Sequence, residues 1–75
     1  MKIQSLGHNQ TVVYLNDDTS VFFSYETPVA AIIGDNAYKT AEKWSVTTSK
    51  HINGWLKDYV DIEVKPQDFF DRLAE

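Results

Sequence analysis

Trp44–Tyr59 reads WSVTTSKHINGWLKDY, and the apolar spacing inside it decides the fold class. Ile52, Trp55, Leu56 and Tyr59 recur at i, i+3, i+4 and i+7. That is one apolar stripe of about two helical turns. Lys50, Asn53, Lys57 and Asp58 fall off the stripe and are expected to face water. Thr47, Thr48 and Ser49 stand ahead of the stripe, where a hydroxyl can accept a bond from an orphan N–H of the first turn. The spacing predicts a helix near 48–59. Gly54 inside it costs roughly 1 kcal/mol against Ala, which close approach of another backbone beside Trp55 would explain. An apolar stripe of this kind is a core face docked on a sheet.

The segments before this helix supply the sheet. Lys2–Leu6 alternates weakly, and Gly7-His8-Asn9 is a turn with Gly available for positive φ. Thr11–Leu15 is rich in β-branched and aromatic residues and reads as a strand. Asn16-Asp17-Asp18 turns the chain into a third strand over Thr19–Glu26, with Val21, Phe23 and Tyr25 on one face and Phe22 and Ser24 on the other. Pro28 cannot donate to a ladder and marks a strand end, an edge or a bulge. Val29–Ile33 is a continuous apolar run, and Gly34-Asp35-Asn36 turns it back through Ala37–Thr40. Residues 1–40 therefore predict an antiparallel meander of four or five strands.

Beyond the helix, Val60, Ile62 and Val64 alternate with Asp61 and Glu63, as in a short edge strand or an extended linker with three apolar anchors. Pro66 suits the start of a second, short helix near 67–74, and Gln67 and Asp68 place acceptors at its N-terminus. Its apolar side is Phe69, Phe70 and Leu73. The expected architecture is a single α+β domain over 1–75: a meander at 1–40, a helix across one face, and an acidic C-terminal segment at 60–75 with a short helix.

The totals limit the functions. Seventy-five residues make one small domain that buries only about 60% of its unfolded surface. The two Trp, four Tyr and four Phe help fill so small a core. No Cys is present, which leaves no disulfide framework and no thiolate chemistry. No apolar run approaches the ~20 residues of a membrane span, and no signal-peptide core follows Met1-Lys2-Ile3. The expected setting is the cytoplasm. Net charge is −4, yet residues 1–57 balance five acids against five bases, and residues 58–75 carry six acids against Lys65 and Arg72.

Two surfaces follow as candidates. The first is apolar: Val29, Ile32 and Ile33 on the fourth strand, with Phe69, Phe70 and Leu73 on the short helix. An apolar run at a sheet edge would pair with another chain, and a small core gains from association. The expected activity is non-enzymatic protein–protein contact, with a second copy or another protein as partner. The second surface is Lys39, Lys43, Thr48, Ser49, Lys50 and His51. Free N–H groups, hydroxyls and positive charge at a helix start suit an anion, and Tyr38 and Trp44 could stack. A nucleic-acid or phosphate-binding module is the alternative, less favoured because the chain is acidic.

Catalytic and metal chemistry find little support. Thr47 and His51 could share a helix face, with no third orienting group in view. Asp17-Asp18 falls in a turn, where adjacent carboxylates are solvated. His8 and His51 lie far apart in the chain, without metal-ligand spacing. No catalytic, cofactor-binding or metal-ligating residue is assigned.

TPVA (Thr27–Ala30), YKT (Tyr38–Thr40) and WSVTTSKHINGWL (Trp44–Leu56) together resemble a family of small proteins of unknown function encoded largely by bacteriophages. In that family an SY-x-TPVA segment precedes YKT and then W-S-x-TTS-[KR]-H-I-N-x-W. The resemblance runs from about Phe23 to Leu56 and leaves Lys57–Glu75 outside it. It implies a phage-like origin and a cytoplasmic life in an infected cell, so that a partner other than a second copy would be a host or phage protein, and it implies no particular activity.

Overall fold

The computed structural model describes residues 2–74. Five strands come first: β1 (Lys2–Gly7), β2 (Gln10–Asn16), β3 (Thr19–Ser24), β4 (Thr27–Ile33) and β5 (Asn36–Thr40). Helix α1 (Val46–Trp55), strand β6 (Ile62–Lys65) and helix α2 (Gln67–Leu73) follow. The fold is α+β, but the sheet has six strands in the order β1-β2-β3-β4-β5-β6. The first five form the antiparallel meander read from residues 1–40, and β6 adds parallel to β5. The expected four or five antiparallel strands thus become a mixed sheet of six. The reason is α1. Its 10 residues rise about 15 Å, close to the length of β5, and so return the chain to the end of the sheet where β5 began. A strand starting there must run parallel to its neighbour.

Pro28 lies inside β4, and a bulge accommodates it. Phe22 pairs with Ala30 and Phe23 with Pro28, so Val29 is an extra residue without a partner on β3. Val29 and Ala30 consequently both join the core cluster with Val12, Phe22, Ala37, Ile52 and Leu56. Trp55, Tyr59 and Ile62 pack against that cluster, and Trp55 stacks on Phe22 with ring centroids 5.0 Å apart. The stripe Ile52-Trp55-Leu56-Tyr59 is therefore the core face. The helix itself starts earlier than expected and ends at Trp55, with Tyr59 reaching the core from the turn beyond it. Burial of each large side chain contributes roughly 1.5–3 kcal/mol.

Cross-strand register places Val13, Val21, Ala31 and Tyr38 on the opposite face. Here α2 packs over β4 and β5. Phe69 tilts on Tyr38 at 5.4 Å, and Phe70 is fully buried. A helix over only one face is thus corrected to one helix on each face. The C-terminal segment docks on its own sheet. Of its three alternating apolar residues only Ile62 reaches the core; Val60 is 95% exposed and Val64 is 52% exposed. β6 is an edge strand over part of a sheet whose α1 face is already filled by Ile52 and Leu56.

Gln67 ties these layers together. Its Oε1 accepts from Thr40 Oγ1 at 2.8 Å and from Trp44 Nε1 at 3.2 Å. Its Nε2 donates to the Pro28 carbonyl at 2.6 Å and to Asp71 Oδ1 at 3.1 Å. Both lone pairs and both protons of the carboxamide are used. Gln67→Ala leaves the buried Thr40 hydroxyl and the Pro28 carbonyl without this partner and is expected to lower unfolding free energy by about 1–3 kcal/mol. Asp71→Ala, which removes one exposed bond, is expected to change it by less than about 0.5 kcal/mol. Urea unfolding followed by Trp fluorescence measures both.

Candidate functional site

The turn between β3 and β4 and the start of α1 meet at one end of the sheet. Ser45, not one of the three hydroxyl residues after it, caps α1. Its Oγ accepts from the Thr48 N–H at 3.0 Å, which moves the start of the helix to Val46. Thr48 is then a buried first-turn residue whose Oγ1 accepts from Ser45 Oγ at 3.2 Å and Ser24 Oγ at 3.1 Å. Ser24, 1% exposed, also lies 2.8 Å from His51 Nδ1. With the Ser24 proton on Thr48, the imidazole donates Nδ1–H to Ser24 Oγ. One hydroxyl chain therefore runs Ser45–Thr48–Ser24–His51 and fastens the β3–β4 turn to α1. The SYETPVA and WSVTTSKHIN segments meet in space through it.

The same end carries exposed aromatic surface. Tyr25 and Trp44 are each 49% exposed, and both line a cleft of about 210 Å³ with Ser24, Thr27, Val29, Ser45 and Thr48. The Tyr25 ring also tilts against His51, with centroids 6.0 Å apart. Tyr25 and Glu26 form a two-residue hairpin loop between the paired Ser24 and Thr27. Tyr25 has φ +59°, a conformation that glycine adopts without steric cost and tyrosine does not. Its N–H donates to the Asn9 carbonyl at 2.7 Å.

The residues singled out from sequence divide into several groups. Lys39, Lys43 and Ser49 line one groove with Glu42, Ile52 and Asn53. Lys50 is exposed on the side of α1 away from the buried Thr48 and Ile52. Thr48 and His51 turn instead toward Ser24, so Thr48 is no anion contact: its hydroxyl is consumed inside the fold. Among the apolar candidates, Val29 and Phe70 are fully buried and Ile32 packs against the α1 cluster. β4 is paired on both sides and has no free ladder to offer a partner. Ile33, Phe69 and Leu73 stay half-buried.

Helical spacing offers Thr47 as the hydroxyl beside His51, but Thr47 is exposed and Ser24 takes that place. A nucleophile needs an open oxygen and an oriented base. Ser24 Oγ is buried and committed to Thr48 and His51, so the pair holds two elements in register. The only ion pair among the described residues joins Lys65 Nζ to Glu63 Oε2 at 2.7 Å. The Glu63 hydrogen bond, and then its charge, hold the Lys65 ammonium above its ordinary value. No group of three or more His, Cys, Asp or Glu among the described residues is placed to hold a metal ion. No described helix is long and apolar enough to cross a membrane.

The cap assignment is open to test. Ser45→Ala is expected to destabilise by about 1 kcal/mol, whereas Thr47→Ala is expected to stay within about 0.5 kcal/mol of the native chain. Thermal unfolding by circular dichroism compares the two.

No curated protein and no solved structure matches the chain. A family model does, and it covers residues 1–72, which extends well past the motif segments into α2. The sheet, both helices and the hydroxyl chain between them are thus features of a sequence that belongs to a family of unknown function (DUF8033).

Proposed function

We propose that this chain is a non-enzymatic accessory protein of bacteriophage type, working in the cytoplasm, that acts by protein–protein contact and associates with itself. The observation that carries the reading is the contrast between the two edges of the sheet. β6 is four residues long, bears the Glu63–Lys65 ion pair and runs into Pro66. Charge, shortness and proline are the usual protections of an edge strand. β1 has six residues, all exposed, with Lys2 as its single charge. Ile3 is 67% exposed and Leu6 is 42% exposed. Such an edge is a template for another strand.

A second copy of β1 is the occupant that fits. Antiparallel pairing across a two-fold axis repeats the same contact on both sides and holds the two Lys2 ammonium groups at opposite ends of the joint. It also brings apolar surface from the α2 side of the sheet, where Ile3, Val13 and Phe23 lie on strands beyond β4.

Light scattering coupled to size exclusion on the full chain is expected to give a dimer. Ile3→Lys/Leu6→Lys is expected to give a monomer of unchanged circular dichroism, because exposed substitutions move stability by only about 0.5 kcal/mol. A native chain that is monomeric at every concentration, or a dimer indifferent to both substitutions, would overturn the reading.

A further inference from the structure

We infer that the end of the sheet bearing Tyr25 and Trp44 binds single-stranded nucleic acid, with the two rings as stacking platforms and Lys43 and Lys39 as phosphate contacts. Three shallow depressions join into one track. The Tyr25 cleft shares Trp44 and Ser45 with a second depression. That one shares Lys43 and Ser49 with the groove that reaches Lys39. Along the track two half-exposed aromatic faces are followed by two cations. Stacked bases and a tracked backbone need that alternation, and it tolerates any base because every base has a π-face.

The placement of charge agrees. Asp17 and Asp18 lie at the β2–β3 turn, and Asp35 lies at the β4–β5 turn. Asp58 and Asp61 precede β6, which starts beside Ala37 at that same end. These five of the eleven acids sit at the far end from Tyr25 and Trp44, whereas Glu26 shares the Tyr25 turn and Glu42 lies in the Lys39–Lys43 groove. Near the track Lys39 and Lys43 have no ion-pair partner among the described residues, and their charge is free for phosphate. A net acidic chain thus presents a groove with two cations against one carboxylate, which weakens the composition argument against a nucleic-acid partner.

Tyr25 supplies an independent reason. The first position of its two-residue turn requires positive φ, and glycine ordinarily fills it. A tyrosine there carries a backbone cost, and half of its ring faces solvent. One side of the ring rests near His51 and the rest is open, and that open face is what a ligand would use. The hydroxyl chain from Ser45 to His51 then acts as the brace that holds the Tyr25 turn against the helix start beside Trp44. A duplex would not fit this arrangement, since its bases are stacked on one another and closed to the rings.

The test is fluorescence anisotropy of a labelled oligothymidine of about eight nucleotides against the full chain, with a duplex of equal length as control. Binding is expected for the single strand in preference to the duplex, weakening with salt at a slope near −0.7 per phosphate contacted. Tyr25→Gly is expected to leave thermal stability equal or higher while weakening binding by at least about 5-fold, the loss of one stacked base. Lys43→Glu is expected to weaken binding and flatten the salt slope. No binding at low salt overturns the inference, as does equal affinity for the duplex, or binding that Tyr25→Gly leaves intact. None of these outcomes bears on self-association, because β1 and the track are separate surfaces.

Discussion

The carboxamide of Gln67 is the constraint on which the rest depends. It is a single planar group with two donors and two acceptors, and each meets a different part of the chain: the bulged strand at Pro28, the end of β5 at Thr40, the linker at Trp44 and its own helix at Asp71. A chain of 75 residues has too little apolar surface to lock three layers by burial alone. A saturated polar group at the junction supplies geometry that burial, being non-directional, cannot. It also converts the awkwardness of Pro28 into a contact, because a proline in a strand keeps its carbonyl as an acceptor.

A second polar brace lies on the opposite face. Ser45, Thr48, Ser24 and His51 join the helix start to the β3–β4 turn. The two braces share a neighbourhood, since Trp44 is bonded to Gln67 while the adjacent Ser45 caps α1. The linker between β5 and α1 is thereby held from both sides of the sheet, and the Trp44 ring is fixed in place even though half of it is exposed. Rigid placement of an exposed aromatic side chain, next to a tyrosine in a costly backbone conformation, is the combination expected of a binding surface rather than of a core.

Much of this was legible in local pattern. The i, i+3, i+4, i+7 stripe at Ile52–Tyr59 identified the core face of α1, and the turn signals at Gly7, Asn16 and Gly34 separated the strands correctly. Pro28 marked a strand end, an edge or a bulge, and the fold holds the bulge. Other features were misread for identifiable reasons. Three consecutive hydroxyls drew the cap away from Ser45, because any of them has the chemistry and only helix phase decides among them. The composition of Val29–Ile33 suits both an interface at a sheet edge and a strand covered on both faces, and only the pairing of β4 on both sides separates the two. The alternation of Val60, Ile62 and Val64 promised three anchors, and the finished core had room for one.

Periodicity and turn chemistry are local, so the sequence by itself determined the five strands of the meander, the two helices and which face of α1 is apolar, and left Val60–Val64 open between strand and linker. Only the tertiary structure decided that β6 runs parallel to β5, that the helices lie on opposite faces, and that Ser24 meets His51. Those outcomes depend on the length of α1 against the length of a strand and on the one-residue bulge at Val29. They depend also on the order in which six strands assemble. Each sums displacement over many residues, and no spacing within a single segment encodes such a sum.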